Sequence, residues 1–471
     1  MERTIANNLK FKKPAYGAFP QKNEFSYNES RYAENVSINL RGRVLAFTIF
    51  LYYFIENGTL GLIPPKYYML YRNIRISDFI LYALILYSFF NIREYGQLFK
   101  SKSFLITKIL LCYFIFEFGI SAIKYQFNII EYFFRLKGLW TSFLVFPFLL
   151  LYKRNGFLFL IKILFPVAVI SNILYILTAL TGIPFIPDVA IFTQTLPGGI
   201  EVFRVYGGTF YGEIFYLGFI YFWITKRFRA WQIIPVVLFI IPHILAFGRT
   251  AWASLAFTIF LMILINSLKK RNFKLIFRQV IIIVILFIST LICFIEFIPE
   301  SQHFIDAVKT RIFEGEEDIK YNEGTYGTRT LFQNDALLRL WNNSDKILGI
   351  GMNPMWVYGP SSYEEQVYYN AFCDVGWTAV LAAYGIIGFI LALIFQIYYI
   401  FTTFKILKKI RESNLQSFFI IIVLSKFLFD SLVTFSYAFF SVGLWGMFGT
   451  LSFYIAVVVY NYERENMGIK N

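Results

Sequence analysis

The chain has 471 residues, of which 58% are hydrophobic and only 15% charged, with a net charge of +15 and a mean hydropathy of +0.58. A soluble domain carries about a quarter charged residues, so the composition excludes an ordinary water-soluble globule and points to lipid as the main solvent. The surplus Lys and Arg lie in short clusters between apolar runs, which fits membrane loops and argues against nucleic acid as a partner.

Residues 1–42 are polar, of mixed charge and without a signal-peptide pattern, and are read as a cytoplasmic tail. A spanning helix needs about 20 mostly apolar residues. Such windows fall at 44–63, 77–95, 103–122, 136–152, 156–181, 208–225, 230–247, 250–268, 278–298, 376–404, 415–435 and 438–460. The expectation is an all-α polytopic membrane protein of about 12 spans: nine within 43–298 and three within 376–460. Arg135 and Lys137 crowd the start of the fourth window, and only the turn Gly248-Arg249-Thr250 separates the seventh from the eighth. Residues 299–375 form one large loop, and 461–471 a second tail.

Basic residues in short loops mark the cytoplasmic side. With the N-terminus inside, every second connection is basic: Arg93, Lys100 and Lys102; Lys153 and Arg154; Lys226, Arg227 and Arg229; Lys269 to Arg278; Lys405 to Arg411. The large loop instead carries twelve acids against six Lys and Arg. Both termini are therefore expected inside and the large loop outside a cytoplasmic membrane.

A loop of this length is more than a connector. Leu331, Phe332, Leu337, Leu338 and Trp341 recur at helical spacing and predict an amphipathic helix over Thr330–Trp341, lying on the membrane face. Glu314-Gly315-Glu316-Glu317-Asp318 reads as a solvated tip, and 182–207 as a smaller, Pro- and Gly-rich external loop. No internal repeat is visible, which counts against inverted-repeat transporters. Cys112, Cys293 and Cys373 suggest no disulfide framework. With only His243 and His303 a multi-histidine metal centre is not expected, and neither is any cofactor. His243, on an apolar helix, reads more readily as a packing residue than as a catalyst.

The topology puts Arg204, Arg249, Arg329 and Asp374 at one membrane face. Guanidinium forks match phosphate oxygens and stay charged, so three of them beside a carboxylate suggest a site for a lipid diphosphate. Asp374 could accept a proton from an attacking hydroxyl. The plainer alternatives are arginines that snorkel to headgroups and an aspartate that caps the next helix. Arg339 competes with Arg329 for the second arginine role. Glu56, Glu117, Glu213, Lys426 and Asp430 fall inside or near apolar runs, where charge is expensive. Glu213 follows Arg204 closely enough to contact substrate, while Lys426 and Asp430, four apart, are expected to pair on one helix face. Gly349 and Gly351 are expected to permit a tight turn.

Residues 200–390 resemble the bacterial O-antigen polymerase and ligase superfamily, in ordered pieces. These are Arg204 to Phe210 before a span, Gly248-Arg249 opening a helix, Arg329 heading a helix that leads to Gly349-Ile350-Gly351, and Gly385-Ile386-Ile387-Gly388. The resemblance implies a GT-C-like membrane glycosyltransferase without a metal, acting on polyprenyl-diphosphate-linked oligosaccharide, with membrane lipid and possible chain-length regulator proteins as partners. Arg249 and Arg329 would hold the diphosphate, Arg204, Arg339 and Glu213 would contact substrate, and Asp374 would serve the acceptor hydroxyl. The ligases carry a histidine eleven residues before the final motif, where this chain has Asp374. That departure looks more like the shape, elongation and division glycan polymerases. A capsular or O-antigen-type polymerase in a bacterial inner membrane is therefore expected, with a ligase as the near alternative and a transporter or flippase as the distant one.

Overall fold

The computed structural model describes residues 40–56, 69–71, 74–135, 137–181, 183, 185, 191–196, 200–205, 209–225, 230–245, 249–270, 277, 281, 285, 319–321, 324–342, 346–351, 377–410, 415–430 and 455–463. Their principal helices are α1 (Leu40–Glu56), α2 (Ile76–Phe90), α3 (Lys102–Lys124), α4 (Val145–Lys153), α5 (Phe157–Thr181), α6 (Thr209–Thr225), α7 (Ile233–Leu245), α8 (Arg249–Lys270), α9 (Gly324–Asn342), α10 (Trp377–Lys409) and α11 (Leu415–Ser425). Two small antiparallel hairpins complete the set: β1 (Met69–Tyr71) with β2 (Ile74–Arg75), and β3 (Ile191–Leu196) with β4 (Ile200–Val205). Helix is the natural choice in lipid, because it satisfies every backbone N–H and C=O within its own segment.

Lys102–Lys124, Phe157–Thr178 and Val380–Lys409 are long and apolar enough to cross a membrane, and shorter apolar helices accompany them. The expected windows overlap α1 to α8, α10 and α11 in order. The ninth window lies almost wholly outside the described residues, as does most of the twelfth. The first tail is slightly shorter than expected, since α1 already begins at Leu40.

The fourth window is the main departure. Just after a short helix at Ile129–Arg135, instead of one helix it forms a single turn, Lys137–Trp140, then a 3-10 turn over Thr141–Leu144, and then α4. Pro147 stands in the first turn of α4, where a missing N–H is harmless, so the regular helix can start only there. Leu144 to Leu151 are buried on every side. A helix that is apolar all round belongs inside a bundle, and α4 packs against α1 and α2.

From there the packing runs from α1 to α5, from α5 to α6 and α7, from α6 to α8, from α8 to α11, and from α11 to α10. α10 in turn carries α3 and α9. Hydroxyl contacts tie the helices: Tyr399 donates to the Ser103 carbonyl at 3.1 Å and meets Thr107 at 2.6 Å, and Ser425 meets Thr258 at 2.6 Å. Such bonds gain meaning where helix association has little hydrophobic drive.

Connections near residues 94, 101 and 154 meet around one tie. Arg154 there is 4% exposed. It donates to both Glu94 carboxylate oxygens (3.0 and 2.7 Å), to the Tyr87 hydroxyl at 2.7 Å and to Asn91 at 3.2 Å. It is thus a structural tie, not a freely solvated loop charge. Its hydrogen bonds hold the Glu94 carboxyl below the usual carboxylate range. α1 reaches this tie only because Gly42 lacks a side chain: a Cβ there would stand 2.6 Å from the Arg154 carbonyl oxygen. At the same end Ser101 hydrogen-bonds Glu463, and Lys405 lies over the Tyr462 ring at 5.4 Å.

Candidate functional site

The expected site residues fall on identifiable elements. Arg204 is paired with Phe192 across the β3–β4 hairpin, so it lies on a strand and not at the end of an irregular loop. Its sequence signal was present: β-branched and aromatic residues flank Pro197-Gly198-Gly199, a pattern of strands around a turn. β4 rests on α5, and three residues later α6 begins. α6 and α7 are packed neighbours joined by a short connection, which makes them antiparallel, and α8 leaves again after three residues. β4 with Arg204, the start of α6 and the start of α8 with Arg249 therefore share one end of this unit. Arg249 is the first residue of α8, where free N–H groups and the helix dipole favour an anion. Glu213 lies in the first turns of α6, and Arg339 on α9. Asp374 lies outside the described residues, three positions before α10.

Arg329 is on α9, which packs against α10. It is half-buried, and its Nε is buried without a hydrogen-bond partner among the described residues. At 100° per residue, Leu340 shares its side of the helix and is buried, whereas Leu331 and Leu338 lie about half a turn round the axis. Those two and Trp341 are 68%, 60% and 69% exposed. Leu331, Leu338 and Trp341 of the apolar stripe named from the sequence thus face out, and the face bearing Arg329 turns to the protein.

α10 is broken. Gly385 has φ 62° and ψ −167°, so a first segment ends at Tyr384 and a second starts at Ile386. The break exposes carbonyls of one segment and N–H groups of the next, which inside a membrane must be satisfied by protein. A segment within the large loop, residues 346–351, satisfies them. Ile350 and Gly351 donate their N–H groups to the Ala382 and Ala383 carbonyls, each at 2.9 Å. In return, Ile386 and Ile387 donate to the Lys346 and Ile347 carbonyls at 3.1 and 3.2 Å. Gly349 (φ 81°) and Gly385 make this possible, since a Cβ on either would strike the other strand's backbone. The two glycine motifs, thirty-six residues apart in the chain, are thus the two halves of one backbone clamp.

α3 lies antiparallel to α10 and lines the clamp with a polar face that recurs every fourth residue: Tyr113, Glu117, Ser121 and Tyr125. Tyr113 donates to the Tyr384 carbonyl at 2.7 Å, and Tyr125 donates to the Ile350 carbonyl at 2.5 Å. A Cβ on Gly351 would stand 2.6 Å from the Ser121 hydroxyl oxygen, and one on Gly388 would stand 2.8 Å from the Tyr113 ring. Glu117, one turn after Tyr113, is 1% exposed. Among the described residues one Glu117 oxygen and the Tyr384 hydroxyl have no hydrogen-bond partner. Glu117 stood out in the sequence only as a lone charge. The i, i+4, i+8, i+12 series that includes it is the signal that reveals the face.

Among the described residues no group of His, Cys, Asp and Glu could hold a metal ion. After α11 the chain makes a π-turn over Lys426–Asp430. Lys426 there reaches across to Ser254 of α8 at 3.4 Å, while the side chain of Asp430, its expected partner, lies outside the described residues.

No protein-family model matches the chain, and no curated protein matches it in sequence. Fold and site define a mostly helical protein with helices long and apolar enough to cross a membrane, in which a loop segment is clamped into a broken apolar helix.

Proposed function

We propose that this protein is a polysaccharide polymerase of a bacterial cytoplasmic membrane, a GT-C-like enzyme with about twelve spans and both termini inside. It transfers a polyprenyl-diphosphate-linked glycan onto a lipid-linked repeat unit at the outer face. The observation that carries this reading is the clamp. It joins the Gly349-Ile350-Gly351 and Gly385-to-Gly388 motifs that resemble O-antigen polymerases, and it ties the helix bearing Arg329 to the helix that follows Asp374.

On this reading the acceptor hydroxyl oxygen attacks the anomeric carbon, the bond from that carbon to the diphosphate breaks, and Asp374 takes the hydroxyl proton. Arg249 and Arg329 face the charge that grows on the departing lipid diphosphate, where electrostatic stabilisation acts most strongly. Arg204, Arg339 and Glu213 contact the substrate around them. A ligase would use the same chemistry on another acceptor, and Asp374 at the ligase histidine position favours the polymerase.

The broken helix also suits a transporter or flippase, whose discontinuous helices leave polar backbone open to a substrate. Here the loop backbone occupies those groups, which favours a fixed enzyme site. In cells, Arg249→Ala or Asp374→Ala should abolish long polymer while single lipid-linked repeats and protein level persist. Unchanged chain lengths would overturn the assignment.

A further inference from the structure

Lys426 places a cation among packed apolar helices, and the transferase reading gives it no task. It opens the π-turn that follows α11, is half-buried, and donates from its ammonium to the Ser254 hydroxyl of α8 at 3.4 Å. Ser254 and Thr258 are buried one turn apart on the same face of α8. The Thr258 hydroxyl donates to the Ser254 carbonyl at 2.8 Å and meets the Ser425 hydroxyl at 2.6 Å. From α10, the buried Gln396 amide donates to the Phe427 carbonyl, so two neighbouring helices fix the turn that carries Lys426. A charge held among such helices is expensive, and it marks either a binding group or a buried ion pair. Turns of this kind are frequent at functional sites.

The register of the contacts shows where the lysine reaches. Ser425 meets Thr258, whereas Lys426 meets Ser254, one turn nearer the start of α8. Its ammonium is therefore directed toward the end of α8 that begins with Arg249. Ser254 follows Arg249 by five residues, or about 7–8 Å of helix axis. Two basic residues thus serve successive levels along one helix. The two phosphates of a lipid diphosphate are stacked in the same way, since the one bonded to the tail lies deeper in the bilayer than the one bonded to the sugar.

We propose that Lys426 is a substrate-binding residue that holds the lipid-proximal phosphate of the polyprenyl diphosphate, beneath the sugar-proximal phosphate at Arg249. The proposal rests on the transferase reading and adds to it a residue outside the segment 200–390. A lysine ammonium on its flexible stem suits this task, because it meets phosphate as a point charge.

The experiment measures binding of farnesyl phosphate and farnesyl diphosphate to the full chain in micelles, with farnesol as the uncharged control. Both phosphate probes carry the lipid-proximal phosphate, so Lys426→Met should weaken both by at least about tenfold, the loss of a hydrogen bond to a charged group. Arg249→Met should instead erase the preference for the diphosphate and leave the monophosphate nearly unchanged. Lys426→Arg should restore most of the binding, since the charge remains. A farnesyl phosphate analogue with a diazirine on its first isoprene unit should label wild-type peptides over 250–258 or 425–430, a readout that needs no variant to fold. Labelling confined to other segments would overturn the proposal. So would a Lys426→Met protein that loses thermal stability yet binds both probes like the wild type, which would make the lysine a structural partner of Asp430. Displacement of farnesyl phosphate by an equal concentration of inorganic phosphate would overturn it too, by pointing to a free anion. If the wild type binds neither probe better than farnesol, the lipid-diphosphate reading itself fails; if it binds both and Lys426→Met changes nothing, only the role of Lys426 fails.

Discussion

Replacing Gly349 by Ala should release the end of the large loop from α10. The new Cβ would collide with the Ala383 carbonyl oxygen and the Gly385 nitrogen, both backbone atoms that cannot swing aside. A left-handed backbone at φ 81° adds about 1–2 kcal/mol for any residue with a side chain. If the loop moves away to relieve the clash, the clamp's four backbone bonds are lost, at about 1 kcal/mol each. The limit, about 4 kcal/mol when all four bonds go, corresponds to a released population larger on the order of a thousandfold. Lys346 provides the assay, since trypsin cleaves after it only when the segment leaves its partner. When opening is fast, cleavage follows the open population. Gly119→Ala is the control, because nothing lies within 4 Å of its added Cβ. In a helix interior that substitution should stabilise by about 1 kcal/mol. If the Gly349→Ala protein is cut after Lys346 no faster than the Gly119→Ala protein, the clamp is not what holds the loop.

Three further outcomes are expected. Arg154→Met should lower thermal stability in micelles by about 3 kcal/mol, the low end for breaking a buried pair because Glu94 keeps part of its surface in solvent. Glu94 is held below the usual carboxylate range, so its contribution is complete near neutral pH and is lost as pH falls through and below that range; Arg154→Met should remove this acid sensitivity, and an unaltered acid limb would contradict the tie. Spin labels at Leu338→Cys and Trp341→Cys, in bilayers, should relax faster with oxygen than with a water-soluble nickel chelate, because an outward Leu and Trp face suits the lipid interface; the reverse order would place α9 in water. Transfer by the purified protein should survive EDTA, and a strict Mg²⁺ requirement would refute leaving-group stabilisation by arginine.

The membrane class and the order of the apolar helices were legible in the sequence because burial in lipid demands long apolar runs, and such runs are local. The fourth window misled because composition records that a segment is apolar, not whether lipid or protein surrounds it. Pro147 and the enclosing α1 and α2 decided that. The hairpin bearing Arg204 was legible in principle from its turn residues, since strand pairing across so short a turn is nearly local.

The clamp was not legible as a clamp. The sequence by itself determined that glycines stand at 349, 351, 385 and 388, and that Glu117 interrupts an apolar run. Only the tertiary structure decided that Gly349 and Gly385 meet, that the loop end serves the broken helix, and that Tyr113 stands between Glu117 and the break. The reason is physical. A glycine's lack of a side chain matters through what approaches it, and an unwound turn is stable only when a distant segment supplies its missing hydrogen bonds.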